Sequence, residues 1–242
     1  NWAKAGLFAD LTDSIAQLPY ADKINQAHLT AGTFENKKYV LPFVLDLSVM
    51  FWNKDLYKAA GLDPEKGPTT LKEFKEQALA VQKLNKPGVN GTFFGGNCGG
   101  CNVFTWFPIA WADGETAMNP EGTEAHFNSD EWKEIFRIFR EMIADGTMMM
   151  PESKDEAGPT WTALFPKGVI GVQPMPATQI SSLVGGGLED ADIGVTPIAG
   201  LKGGQSTFVG GDDIGISRDS TKADAAWNFI AWVQSEEAQV EV

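Results

Sequence analysis

The sequence predicts an α/β fold, because short strand-like runs alternate with amphipathic helical segments along its 242 residues. The runs share apolar, often β-branched or aromatic residues, and they cover residues 39–41, 49–52, 169–172, 193–195 and 214–216. With 43% hydrophobic residues the chain can bury a substantial core, and its glycines and prolines are dispersed without a fixed repeat. The alternation further predicts largely parallel sheets, whose ligands bind beyond the strand ends or at domain interfaces.

Four helices are predicted between these runs. Thr70 to Glu73 form a capping box that starts the first helix, and Ser129 is the predicted N-cap of the second. The second helix is predicted to end near Gly146 and to bury Trp132, Ile135, Phe136, Phe139, Met142 and Ile143. A third helix is expected from Trp161 to Phe165, ending near Gly168. The fourth follows residues 220–221 and is expected to bury Ala225, Ala226, Trp227, Phe229, Ile230 and Val233.

The charge and hydropathy of the chain argue against several classes of protein. There are 32 acidic and 19 basic side chains, for a formal net charge of -13, and a surface of that sign repels phosphate backbones and anionic lipid. No apolar run approaches the roughly 18 residues that span a bilayer, and residues 1–6 do not form a signal peptide. We therefore expect neither nucleic-acid binding nor a membrane-spanning helix.

Three interpretations compete for Cys98 and Cys101, which lie in a glycine-rich run. A zinc site would need two further ligands, yet the chain has only His28 and His126, at unrelated spacing. A thioredoxin-type redox pair should open a helix after a strand, whereas glycines surround this pair. The sequence favours a structural disulfide, formed in an oxidising compartment, that fixes the shape of one loop and adds roughly 2 kcal/mol at most. We expect no metal and no cofactor.

Four groups of motifs, in a fixed order, cover nearly the whole chain. They are Gly6-Leu7-Phe8-Ala9-Asp10-Leu11-Thr12; Tyr39-Val40-Leu41-Pro42-Phe43 with Asp46, Trp52-Asn53-Lys54-Asp55-Leu56, Ala60-Gly61-Leu62-Asp63 and Pro68-Thr69-Thr70; Phe104-Thr105-Trp106 with Trp111-Ala112-Asp113-Gly114; and Phe165 and Gly168 with Pro197, Gly200 and Gly210-Gly211-Asp212-Asp213. Their order and spacing resemble the family 1 extracellular solute-binding proteins of ABC importers, a group that includes the maltose-binding proteins.

The resemblance implies a periplasmic-binding-protein-like fold of type II, with two lobes and a chain that crosses between them. Residues 1–43 and 210–242 are expected to form the first lobe and residues 47–206 the second, with crossings near 42–46 and 207–213. The ligand is expected in the cleft beside the crossings, and hinge closure is expected on binding. By the same resemblance both ends of the family's chain are expected to be missing here, so that the fold is incomplete at both ends.

Site residues are expected where carboxylates and aromatic rings meet, because a sugar presents hydroxyls at its rim and apolar C–H faces. By the resemblance, Asp46 corresponds to a ligand-binding glutamate of the maltose-binding members, with a hinge hydrogen bond as the alternative. Asp212 and Asp213 follow Gly210 and Gly211, whose backbone could approach a ligand closely; a tight turn is the alternative. The candidate stacking rings are those near loops, with burial in the core as the alternative for each: Trp106, Trp111 and Trp161. Trp52, Trp132, Trp227 and Trp232 are expected to be core residues.

The segment from Gln173 to Gln179 follows the third predicted strand and is expected to face the cleft, which adds Gln173, Thr178 and Gln179 to the candidates. Maltose-binding members have a stacking tryptophan where this chain has Thr178 or Gln179, so an unchanged maltodextrin site is not expected. Only three tyrosines and three arginines are present. This argues against ferric-ion and anionic ligands and favours a neutral sugar or polyol.

The expected function is therefore that of a binding component, not an enzyme. It would bind a small carbohydrate as a monomer and deliver it to a transmembrane ABC permease. The expected location is periplasmic or extracellular. Attachment to the membrane through a lipid anchor on a missing N-terminus is one arrangement compatible with that location. A glycoside hydrolase is the alternative that also pairs carboxylates with tryptophans, although no hydrolase, P-loop or zinc-protease motif is present. A scaffold module without a small ligand is the third interpretation.

Overall fold

The structure is a computed structural model that describes residues 2–95, 98–120, 122–150 and 163–241. The chain divides into two compact units. The first unit consists of two separate segments, Asn1–Asp46 and Val209–Val242, and the second unit is the continuous segment Leu47–Phe208. Each unit contains both helices and strands, which agrees with the predicted α/β class.

The described elements are short, apart from one strand and three helices. The helices are α1 (Thr12–Ala16), α2 (Gln26–Ala31), α3 (Lys54–Ala59), α4 (Leu71–Gln82), α5 (Gly99–Thr105), α6 (Phe107–Trp111), α7 (Asp130–Ala144), α8 (Ile180–Gly185), α9 (Ala223–Val233) and α10 (Glu236–Glu241). The strands are β1 (Thr33–Phe34), β2 (Lys37–Lys38), β3 (Val40–Asn53), β4 (Thr92–Phe93), β5 (Met148–Met149), β6 (Val172–Pro176), β7 (Ile193–Thr196), β8 (Ile198–Ala199), β9 (Gln205–Ser206) and β10 (Val209–Gly215). Single turns of 3-10 helix cover Ala21–Lys23, Phe165–Lys167, Ala177–Gln179 and Asp190–Asp192.

Strand β3 is the longest element of the sheet, and the chain passes from the first unit to the second within it. In the first unit β3 pairs with β10. In the second unit it pairs with β6 and with β7, so that Met50 lies opposite both Pro174 and Thr196. The runs 39–41 and 49–52 are therefore parts of one strand. Sequence pattern separates them because residues 43–45, between the two buried ends, are exposed.

The prediction of largely parallel sheets is wrong for the strands around β3. Both β6 and β7 run antiparallel to β3, and β4 with β5 forms a parallel pair of only two residues on each side. The alternation of helices and strands predicts parallel pairing only where a strand, a helix and the next strand form one crossover unit. Here the helices that follow β3 do not lead into a strand parallel to it.

The core of the first unit forms around the beginning of β3. Its buried residues come from both segments of the unit: Leu11, Ile15, Ile24, Leu29, Leu41, Ile216 and Ile230. Tyr20 adds a polar contact, since its hydroxyl donates to the carbonyl oxygen of Ala231 at 2.6 Å. Burial raises the pKa of this phenol. The first unit is thus assembled from residues that are about two hundred positions apart in sequence.

The two capped helices of the second unit begin where the sequence predicts. The Thr70 hydroxyl accepts from the backbone N–H of Glu73 at the start of α4, and the Ser129 hydroxyl accepts from that of Trp132 at the start of α7. Glu73 does reach back, but to Thr69, whose N–H and hydroxyl both donate to its Oε2. These hydrogen bonds to the carboxylate lower the pKa of Glu73.

Several apolar residues predicted to be buried are exposed. On α7 the buried stripe is Trp132, Ile135, Ile138, Phe139 and Met142, whereas Phe136 (46% exposed) and Ile143 lie at its edge. On α9 only Ile230 and Val233 are buried, and Phe229 and Trp232 are exposed. A helix at the surface of a unit buries only the part of its apolar face that contacts the core. Apolar residues at the edge of that face therefore stay exposed. Trp52 and Trp132 are core residues, as predicted.

The third predicted helix begins outside the described residues, which exclude 151–162. Its end is a 3-10 turn, Phe165–Lys167, followed by Gly168 at a φ of 67°. None of the helices in the described ranges combines the length and the apolar character that a membrane crossing requires.

Candidate functional site

Asp46 is the last residue of the first unit and lies in the middle of β3. Its side chain is half-buried, and its Oδ1 atom is buried without a hydrogen-bond partner among the described residues. A buried carboxylate oxygen without a donor costs free energy, on the order of 1–3 kcal/mol or more for a charged group. A hydroxyl or N–H donor from a bound molecule would remove this cost. Asp46 thus has the chemistry expected of a ligand-binding carboxylate.

Strand β10 carries four further candidates, and Gly211 has a clear structural role among them. Its φ is 119°, and a Cβ atom added there would lie 1.8 Å from the carbonyl oxygen of Val44 and 3.0 Å from the amide nitrogen of Asp46. Only glycine fits such a position, because its backbone approaches β3 too closely for any side chain. Gly211 therefore keeps the strand that carries Asp46 and the strand that carries Asp212 in contact.

Asp213 is bound to His28, which the sequence raises only as a possible zinc ligand. Nδ1 of His28 lies 2.6 Å from Oδ1 of Asp213, and Nε2 of His28 lies 3.1 Å from the carbonyl oxygen of Gly210. His28 is only 6% exposed. Both ring nitrogens of His28 therefore have a partner within the first unit. His28 thus ties helix α2 to strand β10, and Asp213 serves the fold of the first unit.

Asp212 differs from its neighbour. Successive side chains of a strand point to opposite faces, so Asp212 lies on the face away from His28. It is exposed, and it forms no hydrogen bond or ion pair within the described part of the chain. Of the two carboxylates on β10, Asp212 is the one available to a ligand.

The second unit contributes a cluster of aromatic rings, which we name the Phe208 cluster: Phe104, Trp111 and Phe208. The ring of Phe208 stands edge-on to Phe104, with centroids 4.5 Å apart, and nearly parallel to Trp111 at 6.2 Å. Phe104 is exposed, and the other two are half-buried. Partly open aromatic faces of this kind can stack on the C–H face of a sugar ring.

Backbone contacts fix the loops beside the Phe208 cluster. The carboxylate of Asp113, two residues after Trp111, accepts from the N–H of Lys202 at 2.9 Å and from that of Gly204 at 3.2 Å. The Thr207 hydroxyl donates to the carbonyl oxygen of Ser48 at 2.7 Å. These bonds hold residues 202–207 and thereby the position of Phe208.

Trp106 does not offer a stacking face, which corrects the expectation for this residue. It is 4% exposed and contacts Phe74, Phe94 and Phe139 with centroid distances of 5.9, 5.3 and 4.7 Å. The reason is its position at the end of α5, which turns the ring inward. Trp161 lies outside the described residues.

The candidates from 173 to 179 separate into buried and exposed residues. Gln173 is fully buried in β6 opposite Phe51, so the expectation that it faces a cleft is wrong for the structure described here. Thr178 and Gln179 lie in the 3-10 turn after β6, where Thr178 is exposed and Gln179 half-buried. The strand ends at Pro176, and side chains reach solvent only beyond it.

Cys98 and Cys101 form a disulfide, as the sequence favours. The pair does open a helix, contrary to the expectation of a surrounding glycine loop. Cys98 is the N-cap of α5, and its sulfur accepts from the N–H of Cys101 at 3.1 Å. Both cysteines are buried. The bond therefore fixes the start of the helix that carries Phe104. No cluster of three or more potential metal ligands occurs among the residues described.

The sequence patterns give no site role to Phe208 or Phe104, and they do not reveal the structural role of His28. Phe208 lies within the predicted crossing near 207–213, and that position is a signal, but the stacking rings predicted from the sequence are all tryptophans. His28 gave no local signal, because its partner Asp213 is far away in sequence. Phe104 was noted only as part of a motif. Side-chain pairs of this kind become visible only when the fold brings them together.

The fold defines the chain as a protein of the type II periplasmic-binding class. A solute-binding protein of an ABC transporter from Thermotoga lettingae, solved with α-D-tagatose, aligns with 99% of this chain and 61% of its own at a TM-score of 0.84 and 14% identity. UgpB from Mycobacterium tuberculosis, solved in complex with glycerophosphocholine, aligns with 98% of this chain and 58% of its own at a TM-score of 0.82 and 18% identity. At such identities the similarity shows the fold.

The sequence profile of the bacterial extracellular solute-binding proteins matches residues 1–240, and the chain belongs to this family. A protein of Brucella abortus described as a binding protein is 23% identical over 226 residues, which are 92% of this chain and 53% of that relative. The chain thus spans about half the length of the curated relatives it matches.

Proposed function

We propose that the protein is the solute-binding component of an ABC importer and that its ligand is a neutral sugar or polyol. Membership of the solute-binding family supports the binding role. The observation that carries the choice of ligand is Asp46, whose buried Oδ1 has no partner in the described structure. A sugar hydroxyl is a neutral donor that satisfies such an oxygen without adding charge.

The remaining chemistry of the candidate residues supports the same class of ligand. The Phe208 cluster of the second unit presents aromatic faces, and Asp212 of the first unit adds a second available carboxylate. Carboxylates repel anions, and the net charge of -13 acts in the same direction. A phosphorylated or carboxylated ligand would need cationic partners, and none of the candidate residues is cationic. Neutral polyhydroxylated molecules fit this set best.

Family membership also supports a proposal for the location of the protein and for its partner. We propose that the protein acts as a monomer outside the cytoplasmic membrane, passes its ligand to a transmembrane permease, and performs no chemistry on it. The structure from Thermotoga lettingae carries a sugar, which makes monosaccharides the first ligands to test. The absence of a maltose-type tryptophan at Thr178 and Gln179 makes long maltodextrins less suitable.

Isothermal titration against monosaccharides, oligosaccharides and polyols tests the proposal, with product analysis after each titration. Replacement of Asp46 by alanine removes the central carboxylate, and it is expected to abolish detectable binding while circular dichroism stays unchanged. Charge-assisted hydrogen bonds contribute about 1.5–3 kcal/mol each, which corresponds to at least tenfold in affinity. Asp22→Ala, which removes another carboxylate of the first unit, is the matched control.

Each failure has a distinct meaning. Normal binding by the Asp46→Ala variant would show that Asp46 is not a ligand contact. Turnover of any sugar would refute the binding-protein function and favour a glycoside hydrolase. Binding of no member of the panel would favour a module without a small ligand.

A further inference from the structure

A cavity lies within the second unit, among helices α5, α6 and α7. It has a volume of about 330 Å³, which is at the lower end of the range for small-molecule sites. Its walls are mainly aromatic: Trp106, Phe107, Trp132, Phe136 and Phe139. None of the carboxylates of the proposed sugar site lines it. The cavity is therefore a separate feature of this unit.

Ring packing makes the walls of this cavity well defined. Phe107 stands edge-on to Trp132, with centroids 5.1 Å apart, and Trp106 stands edge-on to Phe139 at 4.7 Å. Phe136 lies nearly parallel to Trp132 at 5.5 Å, although it is almost half exposed. Leaving a phenylalanine exposed forfeits the free energy that burial would supply. A ring bound in the cavity would recover part of it.

Two polar side chains line the cavity, and one of them is accessible from it. Asn102 lines it, and the side-chain oxygen of Asn102 is buried without a hydrogen-bond partner within the described ranges. Arg140 also lines it and is exposed. The Asn102 oxygen lies behind the wall, so the accessible polar group of the cavity is the guanidinium of Arg140.

The sequence of α7 explains why Arg140 is free. Arg137 has Glu134 and Glu141 at helical spacing, and its Nε donates to Glu134 at 2.7 Å. Arg140 has no acidic residue three or four positions away, because those positions hold Phe136, Arg137, Ile143 and Ala144. It forms no ion pair with any other residue that the structure describes. An unpaired guanidinium beside aromatic walls favours an anionic partner, against the repulsion of the chain's net charge of -13.

We propose that this cavity binds a small aromatic carboxylic acid. Its ring would pack against the accessible lining residues Phe107, Phe136 and Ile143, and its carboxylate would pair with Arg140. The charged group of this cavity is a cation, whereas those of the proposed sugar site are carboxylates, which favour neutral hydroxyls. The two sites therefore select different molecules. This inference does not depend on the proposed function.

Indole-3-acetate is a suitable probe, because it combines an aromatic ring and a carboxylate. Indole-3-acetamide is its neutral counterpart. Titration calorimetry and saturation-transfer NMR on the whole protein are expected to show one saturable site for the acid and at least about tenfold weaker binding of the amide. Arg140→Gln is expected to weaken the acid about tenfold and to leave the amide unchanged.

Arg137→Gln is the matched control, since it makes the same charge change three residues away on the same helix. Phe136→Ser, at an exposed position, is expected to weaken the acid and the amide alike, because it removes a wall and not the charge. Equal affinities for acid and amide would overturn the proposal. So would equal effects of Arg140→Gln and Arg137→Gln, or the absence of saturable binding at millimolar probe.

Discussion

Substitution of Gly211 by alanine tests whether the pairing of β3 with β10 organises the first unit. The added Cβ would lie 1.8 Å from the carbonyl oxygen of Val44, about half of a normal contact distance, and the φ of 119° is unfavourable for any residue but glycine. Such a backbone position costs roughly 1–3 kcal/mol. Relief of the overlap adds roughly 1–3 kcal/mol. We therefore expect a loss of about 2–6 kcal/mol, enough to separate the two strands locally.

Gly61→Ala is the matched control, because Gly61 also has a positive φ (75°) but no atom within 4 Å of an added Cβ. It carries only the backbone cost, about 1–2 kcal/mol. Hydrogen exchange measured by mass spectrometry is the appropriate assay, since it reports on β10 separately from the second unit. Gly211→Ala should accelerate exchange in residues 209–215 and 40–46 and leave α4 and α7 protected. Equal exchange in β10 of the two variants would refute the steric reasoning.

Two further predictions concern acid stability and the disulfide. The hydroxyl and N–H of Thr12, with Lys37, lower the pKa of Asp10 to about 2, so its stabilising contribution is present above pH 4 and lost as the pH falls toward 2. Urea unfolding at several pH values should show a smaller loss over this interval for Asp10→Asn than for the parent protein; identical pH slopes would contradict the assignment. Reduction of Cys98–Cys101 should lower the unfolding free energy by no more than about 2 kcal/mol and weaken sugar binding through Phe104. Unchanged sugar affinity after complete reduction, verified by thiol titration, would show that α5 keeps its position without the bond.

Local signals in the sequence predicted the elements that depend on local physics. Thr70 and Ser129 were recognisable as caps because capping involves residues two or three positions apart. The disulfide was predictable because only two cysteines are present and they are close in sequence. The type II fold and the family followed from motif order, which periodicity alone could not supply.

What the sequence could not predict depends on contacts distant along the chain. Trp106 and Trp111 are both near the junction of two short helices, yet one is core and the other half-exposed. Trp106 packs edge-on against Phe139 at 4.7 Å, whereas Trp111 lies against Phe208 at 6.2 Å. The antiparallel partners of β3 are more than a hundred residues away. The pairing of His28 with Asp213 likewise links residues 185 positions apart.

Strand β3 and the two-segment first unit have a consequence for how the protein is made. The second unit is one continuous segment, so it can fold as soon as it has been synthesised. The first unit cannot, because strand β10 and helix α9 emerge only after all of the second unit. Its early segment must wait with the edge of β3 unpaired and with Leu11, Ile15 and Leu41 not yet packed against Ile216 and Ile230. The N-terminal part of the chain is therefore expected to be the last to become protease-resistant during biosynthesis and the part most in need of a chaperone.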